Sequence, residues 1–230
     1  MKFSKKTEAS LYLILDLGIL PANLCPSFMA QELVKSGVDI IQLRAKNASD
    51  DIILHRLEGL IPTALNNNCP IIVNDRVEVA AEFSAMMESY LSDFPKVKTI
   101  DGLWGIHLGQ DDMDCKKARE FLGPKAIIGI SVDNVAQGQK AKAAGADYIG
   151  YGSMFPTETK YDAQKASLEM AKKIRQNVDL PLYLIGGINS DNIDSLIENG
   201  FNKMAIAGGI LRQKGQNKAA NDLKSKLNKK

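Results

Sequence analysis

The residues best equipped for chemistry in this chain of 230 lie in short polar clusters, each directly after an apolar run. The richest is in GYGSMFPTETK (residues 150–160), where the run breaks at Pro156 into a segment carrying Thr157, Thr159 and Lys160. Hydroxyls, backbone N–H groups and a positive point charge together make a donor set for phosphate. Comparable endings recur: Gln42, Arg44 and Lys46 in QLRAK, Asn74 and Asp75 in VND, Asp112 in HLGQDD, Ser131 in IIGIS, and the pairs Gly186-Gly187 and Gly208-Gly209. Singly, each has a bland explanation, since Asn-Asp pairs start turns and glycine pairs ease packing. Their recurrence after successive apolar runs points to one shared rim and to phosphorylated small molecules as ligands.

Charge divides the set. Arg44, Lys46 and Lys160 suit a diphosphate-like anion. Asp75 and Asp112 would repel that anion, but they are the hard oxygen donors that Mg²⁺ takes alongside substrate phosphates, so a bridging metal reconciles the two groups. The glycine pairs suit capture of a second, single phosphate by backbone N–H groups. Two anion sites are therefore expected, one with metal and one without.

The elements that must position these residues are legible as periodic patterns. Eight short apolar runs read as buried parallel strands: residues 11–16, 39–44, 70–75, 102–109, 126–131, 148–154, 181–187 and 203–209. Amphipathic segments lie between them, such as SDNIDSLIENG, with Ser190 as its expected N-cap and Gly200 just past its end. The phrases KSGVD, KAAGAD and IENGF recur before the second, sixth and eighth runs. Repeated strand–helix units of this length predict an α/β fold, a single (β/α)₈ TIM barrel over residues 1–230, with active-site residues at the carboxyl ends of the strands. A polar N-terminal tail to about residue 9 and a basic C-terminal tail over about 213–230 complete the expectation. An open doubly wound sheet is the second choice, but no G-x-G-x-x-G follows the first strand. The long connection over residues 76–101 reads as an extended helix plus surface loop, with a lid or subunit contact as the sharper alternative.

Composition narrows the partners. A net charge of +2 and 6% aromatic residues offer neither a basic field nor a stacking surface for nucleic acid. Cys25, Cys69 and Cys115 fit neither a disulfide framework nor a zinc spacing, so they read as small core residues in a reducing cytoplasm. Asp16 interrupts the first apolar run and Leu24 is too bulky for a cleavage site, so neither a signal peptide nor a membrane span is expected. His55 and His107 read as structural, and no nucleophile or acid–base pair stands out.

The motifs QLRAK, VNDR, HLGQDD, IIGIS, GADYIGYGSMFPTETK and LIGGI, in this order, resemble those of the thiamine-phosphate synthase family across nearly the whole chain. The resemblance implies an Mg²⁺-dependent barrel that joins hydroxymethylpyrimidine diphosphate to hydroxyethylthiazole phosphate with release of pyrophosphate. It implies that Gln42, Arg44, Lys46, Asn74, Ser131 and Lys160 contact the pyrimidine diphosphate, with Lys160, Ser131 and Arg44 stabilising its departure. Asp75 and Asp112 would hold the metal, and Thr157, Thr159, Gly187, Ala207 and Gly208 the thiazole phosphate. The chain departs from the family's usual residues at Ala45, Val132-Asp133, Ser153 and Gly208. Three other readings stay open: a thiazole tautomerase-like relative, a phosphosugar isomerase or epimerase, and a barrel that binds a phosphorylated ligand without catalysis. Oligomerisation is an analogy to the family alone.

Overall fold

The computed structural model describes residues 9–21, 23–157 and 166–228. Eight parallel strands close into a barrel in sequence order, β1 pairing with β8. They are β1 (Leu11–Asp16), β2 (Ile40–Arg44), β3 (Ile71–Asn74), β4 (Trp104–Leu108), β5 (Ile127–Ser131), β6 (Tyr148–Tyr151), β7 (Leu182–Ile185) and β8 (Met204–Ile206). All eight expected runs contain a strand; Asp16, Arg44, Asn74 and Ser131 close their strands, while Asp75 and the glycine pairs lie just beyond theirs. The described helices are α1 (Pro26–Lys35), α2 (Asp50–Glu58), α3 (Ile61–Asn67), α4 (Val77–Ser89), α5 (Cys115–Leu122), α6 (Val135–Ala143), α7 (Leu168–Asn177), α8 (Ile193–Ile197), α9 (Gly208–Leu211) and α10 (Gln216–Asn228).

Strand alternation sends one set of side chains outward against the helices and the other into the barrel. Leu11, Leu13 and Leu15 of β1 belong to the large outer core, as do Ile106 and Leu108 of β4. Tyr12, Ile14, Ile40, Ile72, Ile127, Tyr148, Tyr183 and Ala205 form a separate interior cluster. Within it the rings of Tyr12, Tyr148 and Tyr183 meet edge to face, with centroids 5.4 to 5.8 Å apart, an arrangement aromatic quadrupoles favour. Further along the inward sets of β1 to β5 lie Asp16, Arg44, Asn74, His107 and Ser131, at the rim.

The opposite end of the barrel is closed by charge. Asp39 accepts from the backbone N–H groups of Ser10 and Leu11 at 2.8 and 2.9 Å, and Lys224 of α10 donates to it at 2.6 Å. A Cβ on Gly37, whose φ is +100°, would lie 2.7 Å from Lys224 Cγ, so this glycine also clears the path for the lysine stem. Three expectations are corrected here. Residues 216–228, expected as part of a basic tail, form α10, because Ala220, Leu223 and Leu227 recur at helical spacing and are buried. Ser190 does not cap α8: Asn192 precedes that helix, its Oδ1 accepts from Asn189 N–H at 2.9 Å, and its Nδ2 donates to the Gly187 carbonyl at 2.9 Å. Cys69 and Cys115 are buried, but Cys25 is exposed at the start of α1, its Sγ 3.1 Å from Ser27 Oγ.

The long connection over residues 76–101 is α4 followed by a 3₁₀ turn at Tyr90–Asp93 and a loop, as its plain reading expects. Among the described residues no helix is long and apolar enough to cross a membrane.

Candidate active site

Two different surfaces make up the carboxyl-end rim. On the side of β3 and β4, Asp75 follows β3 in a left-handed conformation (φ 64°), its N–H donating to the His107 carbonyl at 2.9 Å. Aspartate tolerates this region better than most side chains. Asp112 comes from the turn after β4, where its Oδ2 accepts from Gly109 N–H at 2.6 Å. The two carboxyl groups lie close enough to interact directly. Burial, reinforced by the Asp112 charge beside it, pushes the Asp75 carboxyl up to about 6. Two carboxylates this close resist ionising together without a cation. A hard divalent ion answers that electrostatic demand, so the donor set fits Mg²⁺. The neighbouring Asn74 side chain and the Arg44 charge act the other way and favour the ionised form.

Arg44 joins the two surfaces. Its guanidinium is ion-paired with Asp16, which is only 4% exposed, and both side chains border a cavity of about 630 Å³. That volume suits a small organic ligand. The cavity opens over β5 to β8 and is lined by Ser131, Asp133, Thr157, Gly187, Ala207 and Gly208 among others. Its floor is backbone-rich for a steric reason. Met154 and Phe155 donate to the carbonyls of Ile185 and Gly186 at 2.9 and 3.1 Å, drawing the loop after β6 onto the loop after β7. A Cβ on Gly186 would sit 2.1 Å from Ser153 Oγ, and one on Gly187 would sit 2.5 Å from the Pro156 carbonyl; both residues also have positive φ. Only glycine fits both demands.

The predicted site residues thus fall into distinct places. Arg44, Ser131, Thr157, Gly187, Ala207 and Gly208 share the cavity wall. Asp75 and Asp112 meet beside it. Lys46 is exposed in the turn after β2. Gln42 is not at the rim: it is 4% exposed and its Nε2 donates to Tyr12 Oη at 2.8 Å inside the barrel. Thr159 and Lys160 lie outside the described residues.

Two further residues belong to the site. His107 bridges Tyr148 Oη and Ser131 Oγ, each at 3.0 Å. The signal available in the sequence was a histidine on the inward set of β4, facing glycines on the next two strands. Arg212 borders the cavity, its Cδ and Nε 3.4 Å from where a Cβ on Gly208 would stand, so the smaller residue makes room for it.

The family model described as thiamine monophosphate synthase matches residues 11–210. The chain belongs to that family. A thiamine-phosphate synthase of Alkaliphilus oremlandii is 34% identical over 231 residues, spanning 99% of this chain and all of the relative. That of Clostridioides difficile is 36% identical over 211 residues, 92% of this chain and 91% of its own. Among solved structures, thiamine phosphate pyrophosphorylase of Pyrococcus furiosus superposes with a TM-score of 0.78 at 30% identity, covering 97% of each chain.

Proposed function

We propose that this protein is a thiamine-phosphate synthase, a transferase of thiamine biosynthesis. It joins 4-amino-2-methyl-5-(diphosphooxymethyl)pyrimidine to 4-methyl-5-(2-phosphooxyethyl)thiazole and releases pyrophosphate. The observation that carries the reading is the pairing of Asp75 with Asp112 at neighbouring strand tips, with Arg44 beside them and a glycine-floored cavity beyond. A thiazole tautomerase-like barrel has no use for that carboxylate pair.

In the reaction the C–O bond to the diphosphate breaks, the diphosphate takes the electron pair, and the thiazole nitrogen bonds to the freed carbon. The aminopyrimidine ring can delocalise the positive charge left on its exocyclic carbon. The protein's task is then to meet growing negative charge with donors already in place. Arg44, kept in position by Asp16, and the Ser131 hydroxyl face the cavity for this purpose. Lys160 and Lys46 supply further positive charge. Asp75 and Asp112 would hold Mg²⁺, which neutralises diphosphate charge when bound. Thr157, Thr159 and the backbone at Gly187, Ala207 and Gly208 hold the thiazole phosphate, orienting its ring nitrogen toward the pyrimidine. No nucleophile or general base is required. The three cysteines, which form no disulfide among the described residues, suit a reducing cytoplasm.

Incubating the purified protein with both substrates and Mg²⁺ should yield thiamine phosphate, read by mass. Binding of either substrate without product would overturn the assignment in favour of a non-catalytic barrel.

A further inference from the structure

From the barrel interior up to the rim, five side chains from five strands form one continuous hydrogen-bonded chain. Gln42 Nε2 donates to Tyr12 Oη at 2.8 Å, and Tyr12 Oη lies 2.8 Å from Tyr148 Oη. Tyr148 Oη lies 3.0 Å from His107 Nδ1, and His107 Nε2 lies 3.0 Å from Ser131 Oγ. Gln42, Tyr12 and Tyr148 are buried, while Ser131 reaches the cavity. The fold clears space for the chain. A Cβ on Gly129 would stand 2.0 Å from Tyr148 Cζ, and one on Gly150 would stand 3.3 Å from His107 Cε1.

Proton bookkeeping gives the chain a direction. An amide NH₂ only donates, so Tyr12 accepts from Gln42 and sends its single proton to Tyr148. Tyr148 then sends its own proton to His107 Nδ1. A neutral imidazole that accepts at Nδ1 carries its proton at Nε2 and donates it to Ser131. The Ser131 proton is left to point into the cavity. Burial raises both tyrosine hydroxyls, which stay protonated and keep the sequence of donors intact.

We propose that His107 is a positioning residue, locked by Gln42, Tyr12 and Tyr148 in the tautomer that makes Ser131 a proton donor to the diphosphate. This rests on the proposed function, in which Ser131 meets the departing anion. In the opposite direction Ser131 would donate to His107 and turn only lone pairs toward an anion. The relay therefore sets the sign of the Ser131 contact.

Two measurements test it. The first, ¹⁵N imidazole NMR of the unmodified protein, needs no substrate; the His107 resonance is assigned by its loss in His107→Gln. A proton at Nε2 with Nδ1 unprotonated is expected, and a proton at Nδ1 overturns the proposal. The second is a cycle of Tyr148→Phe, Ser131→Ala and the double variant. Tyr148→Phe should lower kcat about tenfold to a hundredfold with the thiazole phosphate KM unchanged. Because the relay acts through Ser131, the double variant should be no slower than Ser131→Ala alone. Multiplying losses, or Tyr148→Phe at full rate, would refute the relay. If Tyr148→Phe does not fold, the tautomer decides alone. Absence of product from the unmodified protein would instead defeat the proposed function, with the NMR result still judging the direction of the chain.

Discussion

The two sides of the rim recognise charge by opposite means. Beside β3 and β4, burial and then the nearby Asp112 charge let Asp75 hold its proton to about pH 6. Over β6 to β8, the surface is mostly backbone, opened by glycines that steric contact forbids from carrying a Cβ. The first surface depends on which charges are present; the second depends on how closely two loops approach. Charge-removing substitutions should therefore damage the diphosphate side and leave the thiazole side intact. Added methyl groups should do the reverse.

The largest effect is expected from charge. Lys160→Ala should slow turnover by roughly 2–4 kcal/mol, the usual loss for one group that stabilises developing charge. Single-turnover rates would check this, and a rate within about twofold of the unmodified protein would remove Lys160 from the chemistry.

Gly187→Ala comes next. The new Cβ meets the Pro156 carbonyl at 2.5 Å while φ is +65°, and left-handed backbone alone costs a non-glycine residue about 1–2 kcal/mol. The thiazole phosphate KM should rise about tenfold or more, with pyrimidine diphosphate affinity measured by calorimetry unchanged. Equal losses for both substrates would erase the distinction between the two surfaces.

Asp16→Asn should have a smaller effect, because it leaves Arg44 in place but loosens it. About a tenfold fall in kcat with little change in folding midpoint is expected, the scale of one charge-assisted hydrogen bond.

The smallest effect concerns pH. The folded protein keeps the Asp75 proton up to about pH 6, whereas an unfolded chain releases it near 4. The folded state binds the extra proton between those values, so this group's contribution to metal-free stability falls as pH rises through the window. Above it the contribution is level. Thermal midpoints without Mg²⁺ should show this slope, and Asp75→Asn should remove it.

The same contrast explains what could be read in advance. The barrel was legible because every strand is a short apolar run and parallel strands are buried on both faces. Asp75, Asp112 and Arg44 drew notice because charge stands out directly after an apolar run, and the structure brings the three together. Gln42 lies two residues before Arg44 on the same inward set of β2, so it stays inside the barrel, where a buried tyrosine hydroxyl offers its amide a partner. His107 looked structural because its partners, Tyr148 and Ser131, are 41 and 24 residues away and meet it only after the barrel closes. Charge at the C-terminus hid α10, where the lysines interleave with a narrow apolar stripe. Arg212 was missed for a similar reason: the gap that admits it is a glycine four positions earlier, on another turn of the chain.

The most direct measurement is the Mg²⁺ dependence of thiamine phosphate formation in Asp75→Asn and Asp112→Asn. Each substitution should raise the Mg²⁺ concentration for half-maximal rate about tenfold or more, leaving the thiazole phosphate KM as it was. An Mg²⁺ requirement identical to that of the unmodified protein in both variants would contradict the account.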